Sequence, residues 1–445
     1  MAGRDSRPQG SVNDRGNGCA NPDNALLVVI GALYLAQGIS FGLMVEALPT
    51  LLRAGGVSLE LVALVPLATL PWMVKVFWAP VVDNRGSRRL GRRRGWILPT
   101  QGLLVAALLA VAAMPVNVQG AVAIIALLAV ASLAACTQDI ATDGLAAERL
   151  GRPRMALANS LQVGGMVGGM LIGGAGMMVL SDWIGATAGL SVMAGLIALT
   201  AVPVLLWREP PPSADQEVPS ARLRTFFRSR QGWALAVIAL VFANGHAVNT
   251  ALARLFLVDQ DWALARIGLV VGSGNAVAIL LGAAAAGPLV RAFGAVPIAV
   301  AGLAVSMIGP AIWFVSASGG GPVSLGLAGA ATLGGGIGEG LSSVAVFTLA
   351  FRFAHDSRQA GTDMTMVQCL HGVGGMGMVG LTTALVARSG YAWGFGVALG
   401  CALLAAIVLV VTRRTCEPER LSLSLPVMDE ALNEHGSAQS HGSSG

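Results

Sequence analysis

Residues 119–154 read QGAVAIIALLAVASLAACTQDIATDGLAAERLGRPR. From Gly120 the run carries no charge until Asp139, consists mostly of Ala, Leu, Ile and Val, and closes on a group of arginines. About 20 such residues, wound as a helix, cross the hydrocarbon of a bilayer. A surface helix of a soluble protein would show a polar stripe instead. The stretch predicts a membrane span over roughly 119–147 whose polar end carries two carboxylates, Asp139 and Asp143.

The same pattern fills the chain. Of 445 residues, 55% are hydrophobic and 11% charged, and the mean hydropathy is +0.71. Soluble domains carry about 25% charged residues, so this composition cannot cover a soluble globule. Division at charged and Pro/Gly/Asn-rich breaks predicts twelve spans, near 25–52, 57–82, 96–115, 119–147, 155–181, 185–207, 232–257, 264–290, 295–317, 321–351, 361–387 and 391–412. The expected fold class is an all-α membrane protein.

An even number of spans puts both tails on one side. Arg53, Arg266 and Arg388 fall on the opposite side, and Lys75 and Arg254 fall inside spans. The rest of the 28 basic residues lie in the tails and in every second loop. Cytoplasmic loops retain positive charge, so both termini are expected in the cytoplasm. The richest loop follows the second span, with Arg85, Arg88, Arg89, Arg92, Arg93 and Arg94. These cations have no interleaved aromatics, which argues against nucleic acid as a partner. The five cysteines are scattered, with neither disulfide-framework nor metal-ligand spacing. Residues 1–24 are polar and lack the apolar core of a cleavable signal. They read as an N-terminal tail, followed by a six-helix half over 25–207, a polar linker over 208–231, a second half over 232–412 and a tail over 413–445.

Sliding the chain over itself supports duplication. Arg152, Gln162, Gly168, Gly169, Met170 and Gly174 of the fifth span superpose on Arg358, Gln368, Gly374, Gly375, Met376 and Gly380 of the eleventh. Shared Gly-rich composition is the competing explanation.

An ionisable side chain at mid-membrane costs about 2.5–3.5 kcal/mol on insertion scales, so each needs a partner, a cavity or a task. Candidates are Glu46, Lys75, Asp139, Asp143, Glu339 and Asp363. Asp139 and Asp143 are four apart and share a helix face. Lys75 reaches a depth similar to that of Asp139, so the two are placed to pair, either as a lock between helices or as a proton-coupling site. Asp143, nearer the interface, is placed to meet the basic loop. Glu46 and Glu339 have no basic neighbour in their own spans. Gln37, Gln138, Asn159, Gln162, Arg254, Gln368 and His371 are candidates for a solute path, with snorkelling the alternative for Arg254 and a helix–helix hydrogen bond the alternative for His371.

Residues 372–377, GVGGMG, match a dinucleotide fingerprint, but no strand precedes them and no acidic residue follows about 20 positions later. Close helix packing is the better explanation for the glycines, as it is for Gly164/Gly168, Gly165/Gly169 and Gly169/Gly173. The sequence has no Walker A, HExxH or GxSxG motif. Neither a cofactor nor a metal is expected. An intramembrane enzyme using Asp139 and Asp143 is the reading from another class, and no second catalytic helix is identifiable for it.

YLAQGISFGL from Tyr34, ALPTLLRAGGVSLE from Ala47, LPWMVKVFWAPVVDN from Leu70, RRRGWILPTQ from Arg92, CTQDIATDGLA from Cys136 and ANSLQVGG from Ala158 together resemble one branch of the major facilitator superfamily. That branch contains muropeptide permeases, acetyl-CoA transporters and siderophore permeases of the rhizobactin and pyochelin type. The resemblance implies twelve transmembrane helices in two six-helix halves that rock about a midplane site. It also implies a gating loop after the second span, here Asp83 with Arg85, Arg88 and Arg89. The gate's aspartate would face the N-terminal end of the eleventh helix. Ala79 and Asn84 depart from the superfamily pattern.

The implied function is a monomeric, proton-coupled permease of the bacterial inner membrane that imports an organic solute. A linker too short for two extra spans, together with Gly144 after Asp143, favours a ferric siderophore. An anhydromuropeptide is the alternative, and export of a metallophore or secondary metabolite comes third.

Overall fold

The computed structural model describes residues 22–62, 64–87, 89–209, 221–319, 321–357 and 359–417. Arg88, Arg358, both distal tails and linker residues 210–220 lie outside the described residues.

Eleven described helices are long and apolar enough to cross a membrane: α1 (Asn24–Ala54), α3 (Arg94–Ala112), α4 (Ala121–Arg149), α5 (Arg152–Ile184), α6 (Ala186–Leu206), α7 (Arg230–Asp259), α8 (Gly268–Phe293), α9 (Ala295–Gly319), α10 (Leu325–Asp356), α11 (Ala360–Val386) and α12 (Tyr391–Cys416). The second predicted span, here α2 over residues 59–84, is not one helix. It crosses as short pieces, among them Leu70–Val74, Lys75–Phe77 and Ala79–Asn84. Pro71 and Pro80 each open one of these pieces, because proline lacks the N–H that a continuing helix needs. The expected linker is shorter at its far end, since Leu223–Phe226 forms a helical turn and α7 begins at Arg230.

α1 packs on α5, and α7 on α11, in corresponding positions of the two halves. α1, α4, α7 and α10 are the most buried helices, so they form the middle of the molecule. At the α1–α5 seam, Gly38 and Gly42 lie against the backbone of Met166 and Met170, while Gly165, Gly169 and Gly173 lie against α1 from Tyr34 to Ile39. A side chain at any of these glycines would overlap backbone. The predicted Gly164/Gly168 pair takes no part in this seam: open space surrounds Gly168, and Gly164 faces Leu280 of α8. Pro49 cannot donate to the carbonyl one turn back, and α1 widens into a π turn over Leu43–Ala47 just before it.

The duplication is written in the turns. Gly91 and Gly294, each just before the third helix of its half, have φ of 97° and 100°. Gly185 and Gly390, before the sixth, have φ of 85° and 82°. A carboxylate just past the sixth helix of each half caps the start of the third. Glu209 accepts from the backbone N–H groups of Arg93 and Arg94 at 3.0 and 2.9 Å, and Glu417 from those of Ala295 and Val296 at 2.8 and 3.3 Å. Arg352 at the end of α10 pairs with Glu417 at 3.1 Å, and Arg149 at the end of α4 approaches Glu209 to 3.9 Å.

Candidate functional site: a charged bridge between the halves

Breaking α2 has a consequence at Lys75, which begins one of the short turns and is 2% exposed. Its ammonium forms an ion pair with Asp139 of α4, itself 3% exposed, and lies 4.9 Å from the centre of the Trp72 ring. It also donates to Oε1 of Gln368, which belongs to α11 in the other half. The amide of Gln368 donates in turn to Asp143 at 2.6 Å. Asp143, fully buried, also accepts from the Tyr34 hydroxyl at 2.5 Å and the Gln162 amide at 3.2 Å. Five helices, α1, α2, α4, α5 and α11, meet in this network. Gln162 and Gln368, which the repeat superposes, converge on one carboxylate from opposite halves.

Asp143 therefore does not meet the basic loop as its sequence position suggested, because its helix carries it into the protein interior. Gln138 faces α3, where Gln101 lies 3.4 Å away, and so packs inside the N-terminal half instead of lining a path. Tyr34 went unrecognised as a site residue. Its signal was its rarity, since the chain has only 2 tyrosines and a buried phenol needs a partner.

Between the bridge and the arginine-rich end, further bonds join the halves. Asn159 donates to Thr348 at 3.1 Å, His355 contacts the carbonyl of Ala147 at 2.6 Å, and Arg152 pairs with Asp356 at 2.8 Å. Asp83 accepts from the backbone N–H of Thr362 at 2.7 Å, in the first turn of α11. A helix N-terminus presents free N–H groups and a positive dipole end, which is what a carboxylate requires. Asp83 also pairs with Arg93 at 2.6 Å, and Arg93 pairs with Glu148 at 2.5 Å. Burial disfavours the Arg93 charge, but Glu148 and Asp83 outweigh it and hold the guanidinium above its ordinary range. Arg92 pairs with Glu148 as well.

Asp83 thus meets Arg93, which shares Glu148 with Arg92, whereas Arg85 and Arg89, expected beside Asp83, have exposed side chains. Asp363, near the start of the eleventh span, lies in the first turn of α11 and accepts from Gln359 at 2.6 Å.

Toward the opposite end the halves separate. Glu46 of α1 and Arg254 of α7 are both exposed and interact electrostatically across the gap. Val373, Met376 and Leu381 of α11 are exposed as well. Among the described residues, the hydrogen bonds and ion pairs between the halves lie at the bridge and toward the arginine-rich end. Gln37 is buried in α1, its amide nitrogen unpaired. Glu339 and His371 lie apart from the bridge, in the C-terminal half.

A solved bacterial homologue of the iron transporter ferroportin, in its outward-facing state, superposes with a TM-score of 0.67 at 16% identity, over 88% of this chain and 99% of that one. The transporter FucP of the major facilitator superfamily, in its outward conformation, superposes with a TM-score of 0.65 at 13% identity, over 88% and 98%. The fold is that of the major facilitator superfamily. A family model described as acetyl-coenzyme A transporter 1 matches residues 25–183, which include every bridge residue except Gln368. The anhydromuropeptide permease of Escherichia coli K12 is 28% identical over 244 residues, which make up 53% of this chain and 49% of that protein. The chain thus spans about half the length of that relative.

Proposed function

We propose that the protein imports an organic solute across the bacterial inner membrane as a monomer, by alternating access coupled to protons, and that the solute is an anhydromuropeptide. The observation that carries this reading is the Lys75–Gln368–Asp143 bridge. It ties the two halves together near mid-membrane, on the inner side of an open cleft, and the halves cannot rock without breaking it. The arginine-rich closed end is read as cytoplasmic by its charge, so the cleft opens to the periplasm.

Charge counting supports proton coupling. Lys75 balances one of two buried carboxylates, so the cluster is neutral only when the other holds a proton. Proton arrival and departure change the hydrogen bonds that Asp143 and Asp139 make, and with them the hold on Gln368. A potential of 100 mV supplies about 2.3 kcal/mol per charge moved, enough to bias a two-state equilibrium roughly fifty-fold.

The solute assignment leans on the relatives. The E. coli permease that aligns here is named for anhydromuropeptides, which favours that solute over the ferric siderophore suggested by the short linker and Gly144. Uptake of labelled anhydromuropeptide and of labelled ferric siderophore by a deletion strain and its complemented partner, with and without a protonophore, tests the assignment. Complemented cells should accumulate the muropeptide, and the protonophore should abolish accumulation. Siderophore uptake alone would replace the solute, and no difference between the strains for either would sink the permease reading.

A further inference from the structure

A groove at the start of α3 takes no part in the bridge. Arg85 and Ser87 of the loop between α2 and α3, with Trp96, Pro99, Thr100 and Leu103 of α3, line a cavity of about 340 Å³. The four α3 residues recur at i, i+3, i+4 and i+7, so they share one face of the helix. From Trp96 to Leu103 that face descends about 10 Å along the span. Pro99 is exposed, and so is Leu103, at 47%. An indole such as that of Trp96 suits the boundary between water and hydrocarbon, because one end is apolar and the other polar. The groove therefore starts beside an arginine at the boundary and continues into the apolar zone.

The other polar side chains of the groove are turned to the chain itself. Trp96 Nε1 donates to the carbonyl of Arg85 at 2.7 Å, which fastens the loop to the helix. The Thr100 hydroxyl donates back to the Trp96 carbonyl at 2.7 Å, and the Ser87 hydroxyl accepts from the backbone N–H of Leu90 at 3.1 Å. The exposed Arg85 guanidinium has no hydrogen bond or ion pair to another described residue. Its neighbours differ: Arg92 and Arg93 share Glu148, and Arg94 donates to the Leu205 carbonyl at 2.8 Å. No acidic side chain lines the cavity.

A guanidinium presents a planar fork of donors that matches the oxygens of a phosphate. A soluble anion would use that fork and leave Pro99 and Leu103 bare. An uncharged acyl chain would cover Pro99 and Leu103 and leave Arg85 unpaired. One molecule that satisfies both ends carries a negative headgroup on a hydrocarbon chain. We propose that the groove is a site for one anionic phospholipid, with its phosphodiester on Arg85 and an acyl chain along Pro99 and Leu103. The site requires that α3 spans the bilayer and holds whichever solute the protein carries.

The purified full-length protein is released from detergent micelles that hold equal mole fractions of phosphatidylglycerol and phosphatidylcholine with the same acyl chains, and retained lipids are counted by native mass spectrometry. The first lipid retained should be phosphatidylglycerol by roughly fivefold, the effect of one arginine near a membrane surface. Arg85→Gln should bring the ratio near parity. Arg414→Gln, which removes an equal charge from an exposed position in the last turn of α12, should keep the preference. Leu103→Glu leaves the arginine in place but sets an anion among the apolar residues, and it should lose the lipid as well. Inorganic phosphate should not displace the lipid, because it makes nothing of the apolar residues. Equal retention of the two lipids, a preference that survives both Arg85→Gln and Leu103→Glu, an equal loss in Arg414→Gln, or displacement by phosphate would overturn the site.

Discussion

Gln368 and Asp143 belong to opposite halves of the molecule and meet at 2.6 Å, and the same Gln368 amide accepts from Lys75. One neutral side chain thereby holds both signs of charge. It connects α11 to the charged face of α4 without adding a charge of its own. Gln368→Leu removes two hydrogen bonds to charged groups, each worth about 1.5–3 kcal/mol, while leaving the Lys75–Asp139 pair in place. The closed arginine-rich end should lose population roughly tenfold or more. Spin labels on the α2–α3 loop and the α10–α11 turn should report a longer distance; an unchanged distance distribution would show that the bridge does not hold the closed state.

Asp143→Asn retains an acceptor for Tyr34 and Gln162 but removes the carboxylate from the bridge. The variant should fold, lose protonophore-sensitive accumulation and keep counterflow exchange, which needs no net proton movement. Accumulation at the wild-type level would remove Asp143 from any coupling role.

Asp139→Leu leaves Lys75 buried without its counter-ion and should cost about 3–5 kcal/mol. The pair Lys75→Met with Asp139→Leu should recover most of that stability, because two apolar groups of similar volume replace the ion pair. Thermal unfolding in detergent separates the two cases, and a double variant no more stable than the single would contradict the pairing.

Beside the start of α11, Arg93→Met leaves Asp83 without its cation and Glu148 with Arg92 alone, and should destabilise by a similar amount. Arg85→Ala and Arg89→Ala change exposed cations and should stay within about 0.5 kcal/mol. Equal effects from all three would mean that the loop acts through net charge instead of through the Asp83–Arg93–Glu148 chain.

The α1–α5 seam distinguishes glycines that a motif cannot. Gly169→Val would drive a side chain into the carbonyl of Leu35 and should cost about 1–3 kcal/mol or prevent assembly. Gly168→Ala, next to it, points into open space and should be neutral or slightly stabilising. Yield and melting temperature of the two purified variants provide the comparison.

Much of this protein is determined by its sequence alone, for physical reasons. A bilayer imposes length and apolarity on each span, so the long apolar helices follow from counting along the chain. Helical periodicity places Asp139 and Asp143 on one face, and matched depth aligns Lys75 with Asp139. The eleventh helix from Ala360 to Val386 is legible in the same way.

Other features appeared only in three dimensions, because contact between distant segments depends on which face each helix turns inward and how the halves approach. The tertiary structure decided that Gln368 joins Lys75 to Asp143, and that Arg93, one of six loop arginines, is the one buried against Asp83. It turned Gln138 toward Gln101 of α3 and Tyr34 onto Asp143. Sequence spacing states which residues share a helix face; only packing states what that face meets.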